Sequence, residues 1–72
     1  NASADVVKTC LLLTLSGKKE MAEKYLDVYC EKSGKAKDYV SKWFPIVAAA
    51  LSCDVNDEDR EKLLSWVRDR KF

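Results

Sequence analysis

Hydrophobic positions recur at helical spacing along this chain, and no stretch alternates as a strand would. The densest stretch is Ala4 to Leu15. Its apolar residues Val6, Val7, Cys10, Leu11, Leu13 and Leu15 cover roughly 200° of a helix at about 100° per residue, twice what a surface helix needs. Leu12 falls on the remaining side, among Asp5, Lys8 and Thr9. Such a helix wants cover on nearly all sides, and at about 12 residues it is too short to cross a bilayer, which takes roughly 20. The cover must be protein. The pattern therefore predicts either a homodimer formed through Ala4 to Leu15 or a piece from the interior of a larger fold.

Ser16-Gly17 interrupts the pattern, and Lys18 to Lys32 resumes it with Met21, Ala22, Tyr25, Leu26 and Tyr29 on the core side. Glu20 and Lys24 form an expected i,i+4 pair on the wet side, and Ser33-Gly34 offers a left-handed stop. From Ala36 the apolar positions 36, 39, 40, 43, 44 and 47 keep helical phase through Pro45. Proline removes a backbone donor and disfavours the α conformation at Phe44. The segment therefore kinks there, or restarts with Pro45 in the first turn of a new helix. The uncharged run Ile46 to Leu51 predicts a second deeply buried element, whose alanines permit close approach of a neighbouring helix. Asn56 predicts the N-cap of a last helix with acids Asp57, Glu58 and Asp59 in its first turn and Arg68, Arg70 and Lys71 in its last. Leu63, Leu64 and Val67 give that helix a one-sided core face, with Trp66 on the flank. The expected fold is all-α, with four or five short helices in a compact bundle joined by links of two to four residues.

Length turns this pattern into a stability problem. A chain of 72 residues buries only about 60 to 65% of its extended surface, so one small domain is all that fits. Three cysteines is an odd count, and Cys10, Cys30 and Cys53 lie in or beside apolar helical stretches, so they read as reduced and hydrophobic. With no visible signal peptide, a cytoplasmic setting is expected. The first two residues, Asn1-Ala2, match a tag-cleavage scar, which makes 3–72 the expected helical unit. Thirteen Lys and Arg stand against twelve Asp and Glu, leaving no net field to draw nucleic acid or an anionic membrane. A helix-turn-helix DNA binder lacks its basic face, so no nucleic-acid or membrane partner is expected.

Candidate chemistry is sparse. There is no histidine, no glycine-rich phosphate loop and no metal motif, so no catalytic, cofactor-binding or metal-binding residue is assigned. The acid cluster Asp54, Asp57, Glu58 and Asp59 reads as dipole compensation and solubility before a cation site. Tyr25, Tyr29, Tyr39, Trp43 and Phe44 read as core aromatics with tyrosine hydroxyls at the rim before a ligand platform. Asp5 has two readings of equal weight: an acid in the first turn of a helix is ordinarily there because the dipole favours it, or it serves a structural role. In a helix covered on all sides its carboxylate must find donors, and backbone N–H groups of an adjoining loop are the natural ones.

The order Ala4-Asp5-Val6-Val7-Lys8-Thr9 with a leucine run, then Ala22 to Cys30 (AEKYLDVYC), Trp43 to Ala50 (WFPIVAAA) and Leu63 to Val67 (LLSWV), resembles the C-terminal end of bacterial phosphotransferases related to aminoglycoside phosphotransferases and choline kinases. The likeness spans nearly the whole chain, and WFPIVAAA is its most specific part. It implies the C-terminal helical subdomain of a protein-kinase-like fold. There Asp5 opens a buried helix and accepts hydrogen bonds from the catalytic-loop backbone. The resemblance also implies ATP and Mg²⁺ for the parent enzyme, none bound by this chain, and the remainder of the parent fold as partner. The family's catalytic base and metal-binding residues lie upstream of this sequence, so the chain alone is not expected to be an enzyme. Leu51 departs from the pattern, since several relatives carry a basic residue after the alanine run. The alternative from residues alone is a free-standing helical association module.

Overall fold

The computed structural model describes residues 2–69, where the chain forms α1 (Ala2–Leu15), α2 (Lys19–Ser33), α3 (Lys37–Ser41), α4 (Trp43–Leu51) and α5 (Asp57–Asp69). The all-α expectation holds. Asn1, Arg70 and Lys71, which bear on the expected tag scar and the basic last turn, lie outside the described residues.

Two glycines end the two longest helices. Gly17 sits at φ 79°, where its N–H donates to Thr14 O at 3.0 Å and the Lys18 N–H donates to Leu13 O at 2.9 Å. That pair of bonds is a Schellman stop, and the positive φ it needs suits glycine. Gly34, at φ 73°, ends α2 with one bond from its N–H to Cys30 O. The turn at Gly17 folds α2 back along α1 antiparallel. Contacts pair late residues of one helix with early residues of the other, as where the Cys10 thiol donates to Ala22 O at 3.6 Å and Ser3 meets Tyr29.

Proline's position is settled by a restart. Pro45 lies in the first turn of α4, where a missing N–H breaks no intrahelical bond, and Lys42 joins α3 to α4 with its own backbone still helical at φ −62°, ψ −21°. Asn56 caps α5 as its chemistry predicts, its side-chain oxygen accepting from the Asp59 N–H at 2.8 Å.

The core lies where α1 meets α2 and α4, with α5 closing the far side through Leu63. Val7, Val40, Ala48 and Leu63 are fully buried, and Val6, Cys10, Leu11, Ala22, Leu26, Phe44 and Leu51 nearly so. The radius of gyration, 11.6 Å, is close to the ~11 Å expected for a compact chain of this length.

Several expectations need correction. The chain itself covers the wide apolar arc of α1: Val6, Val7, Cys10 and Leu11 are buried, Leu13 and Leu15 are packed against the core, and Leu12 is left 43% exposed. The uncharged run of α4 is not deeply buried. Ala48 and Leu51 face inward while Ile46 stands 61% exposed and Ala49 and Ala50 face solvent, because a straight helix flanked by two neighbours can bury only one side. Met21, Tyr25, Tyr39 and Leu64 likewise lie on outer flanks although their spacing suits a core face. Cys53 is exposed, since α4 ends before reaching it. No ion pair joins Glu20 to Lys24; the nearby bridge is Lys37 to Asp27 at 3.1 Å, which links α3 to α2.

Candidate functional site

Two features converge at the start of α1, one on its outer side and one on its inner side. Successive helical residues turn by about 100°, so Asp5, Lys8 and Leu12 point away from the packed side that holds Ser3, Val7 and Cys10. Asp5 is exposed. Among the described residues nothing donates to its carboxylate, and its backbone carbonyl accepts from the Thr9 hydroxyl at 3.1 Å. Among the described residues the outer face is therefore one acid without a donor, one lysine and one half-exposed leucine.

The inner side carries a polar cluster that sequence reading did not anticipate. The Ser3 hydroxyl lies 3.2 Å from the Tyr29 hydroxyl, and the Lys35 ammonium donates to both, at 3.4 Å to Ser3 and 3.3 Å to Tyr29. Three elements meet there: the first turn of α1, the last turns of α2 and the link after it. The same ammonium stands over the rings of Tyr29 and Tyr39, 5.9 and 5.7 Å from their centroids. The bond with Ser3 chiefly, and the Lys35 charge with it, hold the Tyr29 phenol below its usual 10.0. The signal for this cluster was Ser33-Gly34-Lys35. A left-handed glycine reverses the chain, and whatever follows it is returned over the helix just ended.

Beneath the middle of α1 a cavity of about 130 Å³ opens between α1, α2 and Trp66 of α5, with Leu11, Leu26 and Phe44 on its walls and Lys19, Glu23 and Lys37 among its lining. The Cys10 thiol faces it. Burial first, and the neighbouring Cys30 second, push Cys10 up to about 11, so it stays protonated and unreactive at neutral pH.

The acidic turn behaves as a helix start. Asp57 pairs with Arg60 at 3.3 Å and Glu58 with Lys62 at 3.8 Å, and among the described residues no group of acids and cysteines is arranged to hold a metal ion. Arg60 reaches further. Its Nε donates to Ser52 O at 3.0 Å, placing a cation at the carbonyl end of α4. Leu51, where the family resemblance leads one to expect a basic residue, is buried instead, and the charge at this helix end comes from α5.

Among the described residues no helix is long and apolar enough to cross a membrane. Set against models of known families, curated proteins and solved structures, the chain matches none of them.

Proposed function

We propose that this chain is the C-terminal helical subdomain of an ATP-dependent small-molecule phosphotransferase similar to aminoglycoside phosphotransferases and choline kinases. In that reading α1 holds the catalytic loop from behind, and the bundle forms part of the substrate-side wall. The observation that supports it is the outer face of α1. The Asp5 carboxylate, which has no donor among the described residues, stands on the side of the helix that the chain's own core does not use. A carboxylate so placed can accept two or three backbone N–H bonds from an adjoining loop, and such charge-assisted bonds fix a loop more firmly than neutral ones. Nucleotide and Mg²⁺ belong to the remainder of the parent fold, since phosphoryl transfer needs bridged phosphates and a positioned base. The apolar arc that called for either a dimer or a larger fold is covered within the chain, so it argues for neither, and the reading rests on Asp5 and on the family resemblance.

The test is made in the polypeptide that carries this chain together with an upstream catalytic loop. Asp5→Asn removes the charge while keeping the shape. Turnover is expected to fall by about 10- to 100-fold with little change in KM, because Asn keeps one acceptor oxygen but turns an NH2 toward the second loop donor, and a donor so left unpaired costs about 1 to 3 kcal/mol in the transition state. Unchanged turnover returns Asp5 to the ordinary role of a helix-dipole acid and removes the reading's support. On the 72-residue chain alone, calorimetric titration with ATP and Mg²⁺ is expected to give no saturable heat.

A further inference from the structure

The cluster of Ser3, Tyr29 and Lys35 grips the same helical turn that carries Asp5. Ser3 precedes Asp5 by two residues, about 3 Å of rise and 200° of rotation, so one faces inward where the other faces outward. A helix's first turn is its weakest, since its first four N–H groups have no intrahelical acceptor and helix ends fray. Here the weak turn is tied down: Ser3 is fully buried although it is the second residue of α1. Among the described residues the tie is a triangle, with all three separations between 3.2 and 3.4 Å and a charge at Lys35. That ammonium is held in turn by two tyrosine rings and by the left-handed turn at Gly34 immediately before it.

We propose that Lys35, acting through Ser3 and Tyr29, is a positioning residue that sets where the Asp5 carboxylate stands. The inference rests on the phosphotransferase reading for its consequence and on the geometry of the triangle for its mechanism. Lys35 has no contact with reacting atoms in this scheme. It keeps the first turn of α1 wound, and a wound first turn holds Asp5 at a fixed height and bearing under the catalytic loop.

Two measurements test it, on Lys35→Met, which keeps length and loses charge, on Lys35→Arg, which restores charge, and on Tyr29→Phe. In the 72-residue chain, hydrogen exchange at the Val6 and Val7 amides reads the first turn, because these are the first amides of α1 whose acceptors, four residues back, lie within the described helix. Exchange there is expected to quicken about tenfold in Lys35→Met and Tyr29→Phe, with the Leu11 amide unchanged as evidence of an intact core. The exposed Lys24→Met should move neither. Equal protection in all variants overturns the proposal. In the phosphotransferase, Lys35→Met is expected to lower turnover about tenfold at unchanged KM, and Lys35→Arg to recover most of it. If Asp5→Asn lowers turnover while Lys35→Met does not, the positioning inference falls and the phosphotransferase reading stands. If Asp5→Asn leaves turnover unchanged as well, the reading itself falls.

Discussion

α1 and α4 are both rich in uncharged apolar residues, and the fold treats them differently. α1 buries Ser3, Val6, Val7, Cys10 and Leu11, whereas α4 buries Phe44, Ala48 and Leu51 and leaves Ile46 61% exposed. The difference is not in amount. α1 is packed against α2, α3 and α4, and α4 against α1, α5 and α3, and each buries about a third of its residues, five of fourteen in α1 and three of nine in α4. It lies in what is left outside: Asp5 and Lys8 beside Leu12 on α1, and the uncharged Pro45, Ile46, Ala49 and Ala50 on α4.

The largest consequence falls on α1. Leu11 is 2% exposed in the middle of the core, and Leu11→Ala is expected to destabilise the chain by about 2 to 5 kcal/mol in urea unfolding. For a domain of this size that approaches the whole margin of stability. A cost under about 1 kcal/mol would mean that α1 is held no more firmly than the flank of α4 and would break the comparison.

Next comes the seam between the two helices. Ala48 is fully buried on α4, so Ala48→Leu forces extra volume into a filled contact and is expected to cost about 1 to 3 kcal/mol. Ala49→Leu and Ala50→Leu, which add the same volume on the exposed side, should be near neutral. Equal effects at all three positions would place α4 in the deeply buried setting that its sequence suggests.

The cysteines sharpen the same contrast by chemistry. Cys10 in α1 should resist a thiol reagent at neutral pH, and Cys53, just past the end of α4, should react at once. Alkali gives the second readout. A folded-state value raised by burial from 9.0 to about 11 contributes stability that is complete below pH 9 and is lost as pH rises from 9 to 11, because the unfolded chain ionises its thiol first. Cys10→Ala should remove that part of the alkaline loss in unfolding experiments at pH 8 and pH 10.

Much of the architecture was legible because local chemistry and tertiary packing agree on it. Gly17, Gly34, Pro45 and Asn56 each have one conformational use, and each is found in that use. Legibility failed where the outcome depends on what lies alongside. Periodicity assigns Met21, Tyr25 and Leu64 to apolar faces correctly, yet a face wider than the neighbour covering it leaves its edges wet, and no spacing rule reports the width of a neighbour. Asp5 was visible as an acid in the first turn on the side away from the apolar arc, and it is exposed there. The triangle behind it was not, because Ser3, Tyr29 and Lys35 are brought together by the fold across 26 and 32 positions of sequence.

The smallest expected effect falls on the outer flank of α4 and is the most diagnostic for the proposed parent. Ile46→Ser exchanges residues of similar helix propensity at a position 61% exposed, so in the 72-residue chain it should change stability by no more than about 0.5 kcal/mol. The same substitution carries a different meaning in a longer polypeptide. If α4 forms part of a wall against the rest of a phosphotransferase, Ile46 becomes a buried contact there, and removing it should cost about 1 to 3 kcal/mol by loss of transfer energy. Measuring the one substitution in both settings thus separates an α4 that is shallow because nothing covers it from an α4 that is shallow only until its partner surface is present. An effect near zero in both would remove α4 from the proposed wall.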